Sequence, residues 1–259
     1  MKDLEGKVAI VLGASTPGGM GQAMARRLNA AGARVVVSGL GAQNLAEFAK
    51  ELGGSAFEAD ITQESQLAAL VAHAVEKYGR LDIAINAAGI APRVPFRELS
   101  EEHLMQVARV HFVGPAMFIK HVANVIVDGG AIVNISSIAG YEPIAGMVGY
   151  AASKRAGDRV IQGAAVEYRH KRLRINAIVP ALVLTELARK EMPNFGVDPV
   201  AFERGFVELT PLGRIAQPED IAAMAYMMVR DEFFETGQIL HCSGGITLLG
   251  QPRSLALGE

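Results

Sequence analysis

Val8-Ala9-Ile10-Val11-Leu12-Gly13-Ala14-Ser15-Thr16-Pro17-Gly18-Gly19-Met20-Gly21 decides the fold of this chain. Five apolar residues with no polar break read as a strand buried on both faces, as in a parallel sheet. A glycine cluster follows, then a helical pattern from about Gly21 to Ala31 that stops at Gly32. Glycine lets a backbone approach a ligand closely, and a helix N-terminus offers free N–H groups and partial positive charge. At a first strand–helix junction these features predict a phosphate-binding turn, the plain alternative being a Gly-rich turn with no ligand.

The alternation continues outward from this unit. Arg34–Ser38, Ser55–Ala59, Asp82–Asn86, Ala131–Ser136, Arg174–Val179 and Gln238–Cys242 read as strands. Gln43–Leu52, Gln63–Tyr78, Ser100–Val127, Tyr150–Arg169 and Glu219–Arg230 read as helices. Such alternation predicts an α/β fold, a parallel sheet covered by helices on both sides. Residues Leu182–Pro211 read as irregular, and the tail after Ile246 as surface. A chain of 259 residues fits one domain over 1–259 with a large core.

Bulk properties narrow the function. Net charge is −2 with no long basic run, which argues against binding nucleic acid or an anionic membrane. No apolar run approaches the ~20 residues that span a bilayer. Met1–Glu5 lacks the apolar segment of a signal peptide, and Cys242 is the only cysteine. A reducing, cytoplasmic setting is the expectation. His73, His103, His111, His121, His170 and His241 show no paired ligand spacing, so no metal is expected.

Tyr150 and Lys154 are four residues apart on a predicted helix, and Ser137 lies thirteen residues upstream of the tyrosine. Positions i and i+4 share a helix face, so Lys154 can place its ammonium beside the phenol. A free tyrosine titrates near pH ~10, and a neighbouring cation lowers that value. A phenol tuned in this way passes a proton to or from a substrate oxygen, to which Ser137 could donate a hydrogen bond. That is equipment for interconverting an alcohol and a ketone. Tyr and Lys at helical spacing are also common on surfaces, so the pair alone is weak.

Taken together, these motifs resemble the classical short-chain dehydrogenase/reductase family from about Gly6 to Gly245. Gly13 and Gly19-Met20-Gly21 resemble its glycine turn, with two extra residues between them. Asn86-Ala87-Ala88-Gly89 resembles its N-N-A-G motif, and Asn134-Ile135-Ser136-Ser137 its serine strand. Tyr150 to Lys154 matches its Y-x-x-x-K, and Pro180 to Thr185 its P-G-x-x-x-T with Ala181 replacing the glycine. The resemblance implies a Rossmann-type, doubly wound, mainly seven-stranded parallel sheet. It also implies an NAD(P)-dependent oxidoreductase whose catalytic residues are Ser137, Tyr150 and Lys154. Cofactor contacts implied are Gly13, Ser15, Gly19, Met20, Gly39, Leu40, Asp60, Ile61, Asn86, Ala87, Gly89, Tyr150, Lys154, Pro180, Val183 and Thr185. Asp60 would bond the adenine amino group and Ile61 would lie against the ring. A homotetramer or homodimer is implied as well.

Two departures stand out. Val110-His111-Phe112-Val113-Gly114 carries His111 where the family usually has an asparagine that bends the helix and frees a backbone carbonyl. His111 could fill that space and leave the carbonyl free, could join the proton relay as a group titrating near neutrality, or could mark a damaged relay. The second departure is Gly39-Leu40, where the family's acidic NAD determinant and basic NADP determinant would stand. A 2′-phosphate needs charged partners. The reading therefore tilts to NAD(H) and leaves NADP(H) open.

The substrate should lie among Ala91–Phe96, Ala139–Gly149 and a lid over 182–211. Candidate contacts are Val94, Ile138, Tyr141, Ile144, Met147, Leu187, Met192, Phe195, Phe202 and Phe206, with Arg93 and Glu142 at the rim. Apolar walls favour a lipophilic cyclic or aromatic secondary alcohol or ketone. Packing among themselves or against another subunit is the alternative. Rival readings are a 3-oxoacyl-thioester reductase and a non-catalytic dinucleotide-binding sensor or scaffold.

Overall fold

The computed structural model describes residues 2–185 and 198–249. Seven strands form one sheet: β1 Val8–Leu12, β2 Arg34–Gly39, β3 Ser55–Glu58, β4 Ile83–Asn86, β5 Ala131–Ile135, β6 Arg174–Pro180 and β7 Ile239–Cys242. Their order is β3-β2-β1-β4-β5-β6-β7, and every pairing is parallel. β1 is buried along its whole length because successive side chains feed opposite layers. Ala9 and Val11 join the core under α1 (Met20–Ala30), α2 (Ala42–Leu52) and α8 (Pro218–Val229). Val8, Ile10 and Leu12 join the core under α3 (Glu64–Tyr78), α5 (Gly114–Val125) and α6 (Val148–Glu167). The order reverses between β1 and β4, which opens a crevice at the carboxyl ends of the strands.

Glycines set the close approaches. A Cβ on Gly13 would lie 2.4 Å from the Ala88 nitrogen, and one on Gly21 2.2 Å from the Gly13 oxygen. Bare backbone at these positions therefore serves the packing of the first turn against the β4 turn, in addition to any ligand.

Two expectations are corrected. Ser100–Val127 is not one helix. It runs as α4 (Glu101–Ala108), a π-helical turn over Arg109–Val113, then α5. Pro115 stands four residues after His111 and has no N–H to give the His111 carbonyl, so the α-helical pattern cannot run through. The Gly114 N–H bonds the Arg109 carbonyl instead, five residues back. Residues 182–211 are not wholly irregular either: α7 spans Pro199–Leu209. Asp198 caps it by accepting from the Val200 N–H at 3.0 Å, with proline at the first turn.

The π turn meets α6 at its backbone. A Cβ on Gly157 would lie 2.4 Å from the His111 carbonyl oxygen. Gly163, exposed on the same helix, has nothing within 4 Å of its would-be Cβ. Gly157→Ala is expected to cost about 1–3 kcal/mol by overpacking. Gly163→Ala is expected to gain up to about 1 kcal/mol from helix propensity. Denaturant unfolding of the two variants checks the pair; equal effects would contradict the contact.

Candidate active site

A cavity of about 740 Å³ opens over the carboxyl ends of the strands. Four elements bring the candidate catalytic residues into its wall. Ser137 follows β5, Tyr150 and Lys154 project from α6, and His111 comes from the π turn. Tyr150 is 9% exposed, Lys154 7% and His111 2%.

Lys154 Nζ donates to the Ile135 carbonyl at 2.7 Å and lies 5.7 Å from the Tyr150 ring centroid. Burial takes the ammonium down to about 8, and the charge of Asp158 opposes that fall. Burial pushes the Tyr150 phenol above its ordinary value, with a Ser137 hydrogen bond acting the other way. At Tyr150 burial outweighs the Ser137 hydrogen bond, so the phenol stands above its ordinary value rather than below it. Ser137 Oγ also accepts from the Ala139 N–H at 3.2 Å.

His111 does not titrate near neutrality. Burial and the Lys154 charge lower its imidazole to about 3. Its Nε2 lies 2.7 Å from the Ile90 carbonyl, close enough to donate to it, and the ring meets Tyr150 edge-on with centroids 5.1 Å apart. A Cβ on Gly89 would lie 2.9 Å from the imidazole Cε1, so the bare backbone of Gly89 makes the room the ring occupies.

The nucleotide contacts implied by the resemblance divide into two groups. Met20, Ala87, Gly89, Pro180, Val183 and Thr185 line the cavity with Tyr150 and Lys154. Gly13, Ser15, Gly19, Gly39, Leu40, Asp60, Ile61 and Asn86 lie off its wall. Gly19 caps α1 with no side-chain hydrogen bond, and the first turn of α1 has no acid, so its N–H groups suit an anion. With a buried cation at the opposite end, these residues fit a dinucleotide. Gly39 has φ 151°, and its Cβ would meet Ser15 Oγ at 2.9 Å. Leu40 is 62% exposed. Asp60 Oδ1 accepts from the Thr62 N–H and hydroxyl, both at 2.8 Å, a local turn bond. Ile61 is buried and packs beside Gly114. Asn86 donates to Asn134 Oδ1 at 2.7 Å and accepts from the Ala88 N–H, which ties the β4 turn to β5.

Among the substrate candidates, Ile138, Ile144, Met147, Phe202 and Phe206 line the cavity, as does Arg93. Val94 and Tyr141 do not. The Val94 N–H is tied to the Gly146 carbonyl at 2.7 Å. The Tyr141 hydroxyl donates to Asp158 Oδ2 at 2.8 Å, and its ring packs on Arg155 and His241. Leu187, Met192 and Phe195 lie outside the described residues. Sequence reasoning missed Asp158, whose i+4 spacing from Lys154 was the available signal, and Pro115, which marks the π turn. Among the described residues no three His, Cys, Asp or Glu side chains are grouped to hold a metal, and no helix is long and apolar enough to cross a membrane.

Comparison with known proteins agrees with this geometry. The family profile described as Enoyl-(Acyl carrier protein) reductase matches residues 13–247. The chain is 34% identical to the cis-4-hydroxycyclohexanecarboxylate dehydrogenase of Sinomonas cyclohexanicum, over 93% of this chain and 96% of the relative. It is 32% identical to the 7alpha-hydroxysteroid dehydrogenase of Escherichia coli K12, over 93% and 94%. A solved short-chain type dehydrogenase/reductase from Mycobacterium ulcerans superposes with a TM-score of 0.87 at 30% identity, over 96% of this chain and 92% of that one. Sheet order, crevice and motif order converge with these likenesses: the chain belongs to the classical short-chain dehydrogenase/reductase family and is an oxidoreductase.

Proposed function

We propose that this chain interconverts a lipophilic ring-borne secondary alcohol and its ketone with a nicotinamide cofactor, through Ser137, Tyr150 and Lys154. The observation that carries the reading is the meeting of those three side chains in one cavity wall. The walls beyond them are apolar, with Ile138, Ile144, Met147, Phe202 and Phe206 around the space, which suits a lipophilic ligand. The names of the two dehydrogenase relatives each denote a hydroxyl on a ring system, in support of that class. The chain works as one dinucleotide-binding and catalytic domain, with residues 182–211 bordering the substrate.

When bound, the nicotinamide supplies or accepts the hydride. Ser137 donates a hydrogen bond to the substrate oxygen. Tyr150 gives its proton to that oxygen in reduction and takes it back in oxidation. Lys154 holds positive charge behind the phenol and favours the phenolate as it forms. His111 acts as a neutral strut that joins Ile90 to the Tyr150 ring. NAD(H) is the preferred cofactor: no cation stands at Gly39 or Leu40, and the Glu58 carboxylate accepts from the Gly41 N–H at 2.7 Å, where a 2′-phosphate would be repelled. A 3-oxoacyl-thioester reductase is the second reading within the family.

An assembly of identical chains is part of the proposal. A second hollow, of about 440 Å³, runs between α4 and α6 and is lined by Phe96, Leu104, Phe112 and Val148. All four are exposed, Phe96 at 79%, a contiguous apolar patch of the kind that covers itself against a second copy. Sedimentation velocity is expected to give at least twice the 27.4 kDa of one chain. Phe112→Glu should shift it toward one; a monomeric wild type would contradict the assembly.

Titration of NADH and NADPH fluorescence with the protein is expected to show tighter NADH binding. A panel of ring alcohols and ketones should then reveal turnover that Tyr150→Phe lowers by about 10²–10⁴-fold with binding kept. Equal turnover in that variant would sink the assignment. For His111→Asn, kcat should fall while both limbs of the pH profile stay in place, because the imidazole is neutral throughout the working range. Disappearance of a limb would restore a relay role.

A further inference from the structure

Asp158 is an acid buried where acids are rare. It is 3% exposed on α6, one helical turn after Lys154, and side chains at i and i+4 share a helix face. Its Oδ2 accepts the Tyr141 hydroxyl, while Oδ1 is buried with no hydrogen-bond partner among the described residues. A carboxylate is kept from water at high cost unless it is paired. Tethering Tyr141 needs only a neutral acceptor, so the charge calls for another reason.

The surroundings supply one. Among the described residues, the titratable groups about Lys154 and Asp158 are His111 on the π turn, Tyr150 and Arg155 on α6, Tyr141 after β5 and His241 on β7. His111 is neutral, Tyr150 is protonated, and Arg155 lies over the Tyr141 ring with its guanidinium carbon 4.3 Å from the centroid. His241 meets the Tyr141 ring in an edge contact, with centroids 4.8 Å apart. Asp158 is thus the one acid in this set. It interacts electrostatically with both Arg155 and Lys154, the Arg155 influence on it being the larger.

We propose that Asp158 is a positioning residue for the proton-transfer site, whose carboxylate keeps Lys154 charged and in place behind Tyr150. The proposal builds on the Ser137–Tyr150–Lys154 reading, but the pairing can be read without turnover. Burial alone raises Asp158, against the pull of the nearby Ser136 and Tyr141 hydroxyls and of the Arg155 and Lys154 charges. Lys154 is already depressed by burial, and the carboxylate opposes that; removing the negative charge depresses Lys154 further.

The test uses the full chain carrying carbon-13 at lysine Cε, with the Lys154 resonance identified by its loss in Lys154→Met. Asp158→Asn keeps the shape and an acceptor for Tyr141 while removing the charge. Its Lys154 midpoint is expected to fall by about one pH unit. The limb of the kcat profile that reports loss of this proton should move to lower pH by the same amount. A residue that merely tethers Tyr141 would move neither, and an unshifted Lys154 midpoint in folded Asp158→Asn overturns the proposal. Should Asp158→Asn fail to fold, Asp158→Ser carries the same titration with the same expected direction, and an unshifted midpoint there is equally fatal. If the wild type turns over no ring alcohol or ketone, the functional reading falls, while the lysine midpoint still decides the pairing.

Discussion

A desolvated ammonium is the constraint on which this site rests. Lys154 is 7% exposed and donates to the Ile135 carbonyl at 2.7 Å. Moving a cation out of water is costly unless fixed dipoles or opposite charge replace the lost hydration. The carbonyl at the end of β5 supplies part of that replacement, and its place is fixed by the pairing of β5 with β4 and β6. The sheet therefore does more than carry the helices. It delivers an oriented acceptor to the one point where a buried lysine can be held beside a tyrosine.

The strands were legible in the sequence because burial on both faces demands unbroken apolar runs, and Val8–Leu12 and Ala131–Ile135 have them. Tyr150 and Lys154 were legible because helical spacing puts them on one face whatever the tertiary context. What escaped is instructive. Ser100–Val127 carries apolar residues at helical period throughout, and periodicity does not register a missing N–H at Pro115. α7 follows a strong local signal, Asp198-Pro199, that was masked by an overall irregular composition. Tyr141 looked like a pocket residue because aromatic side chains near a catalytic loop usually are. Its hydroxyl needed a partner, and Asp158 turned it away from the cavity.

Electrostatic tuning was the least legible layer. Helical spacing places the lysine and the phenol on one face, but it does not weigh Coulomb attraction against desolvation. With Tyr150 at 9% exposure, desolvation wins and the phenol rises. The same balance removes His111 from acid–base chemistry, since burial and a neighbouring cation act in the same direction on an imidazole. A histidine in a relay position is read as a titrating group only while its burial is unknown.

His111 is tolerated because two glycines flank it. On one side, Gly89 lacks the Cβ that would stand 2.9 Å from the imidazole. On the other, Gly157 lacks the Cβ that would stand 2.4 Å from the His111 carbonyl. The ring occupies the first gap, bonds Ile90 and backs Tyr150; the second lets α6 close on the π turn and brings Lys154 and Asp158 inward. A Cβ at Gly157 would push the π turn away from α6, and one at Gly89 would displace the imidazole itself. The substitution at position 111 is thus a packing solution shared among three elements. Its chemical consequence is that a bulky, neutral ring stands in the wall, and the buried lysine is held by the Ile135 carbonyl of β5 rather than by the imidazole.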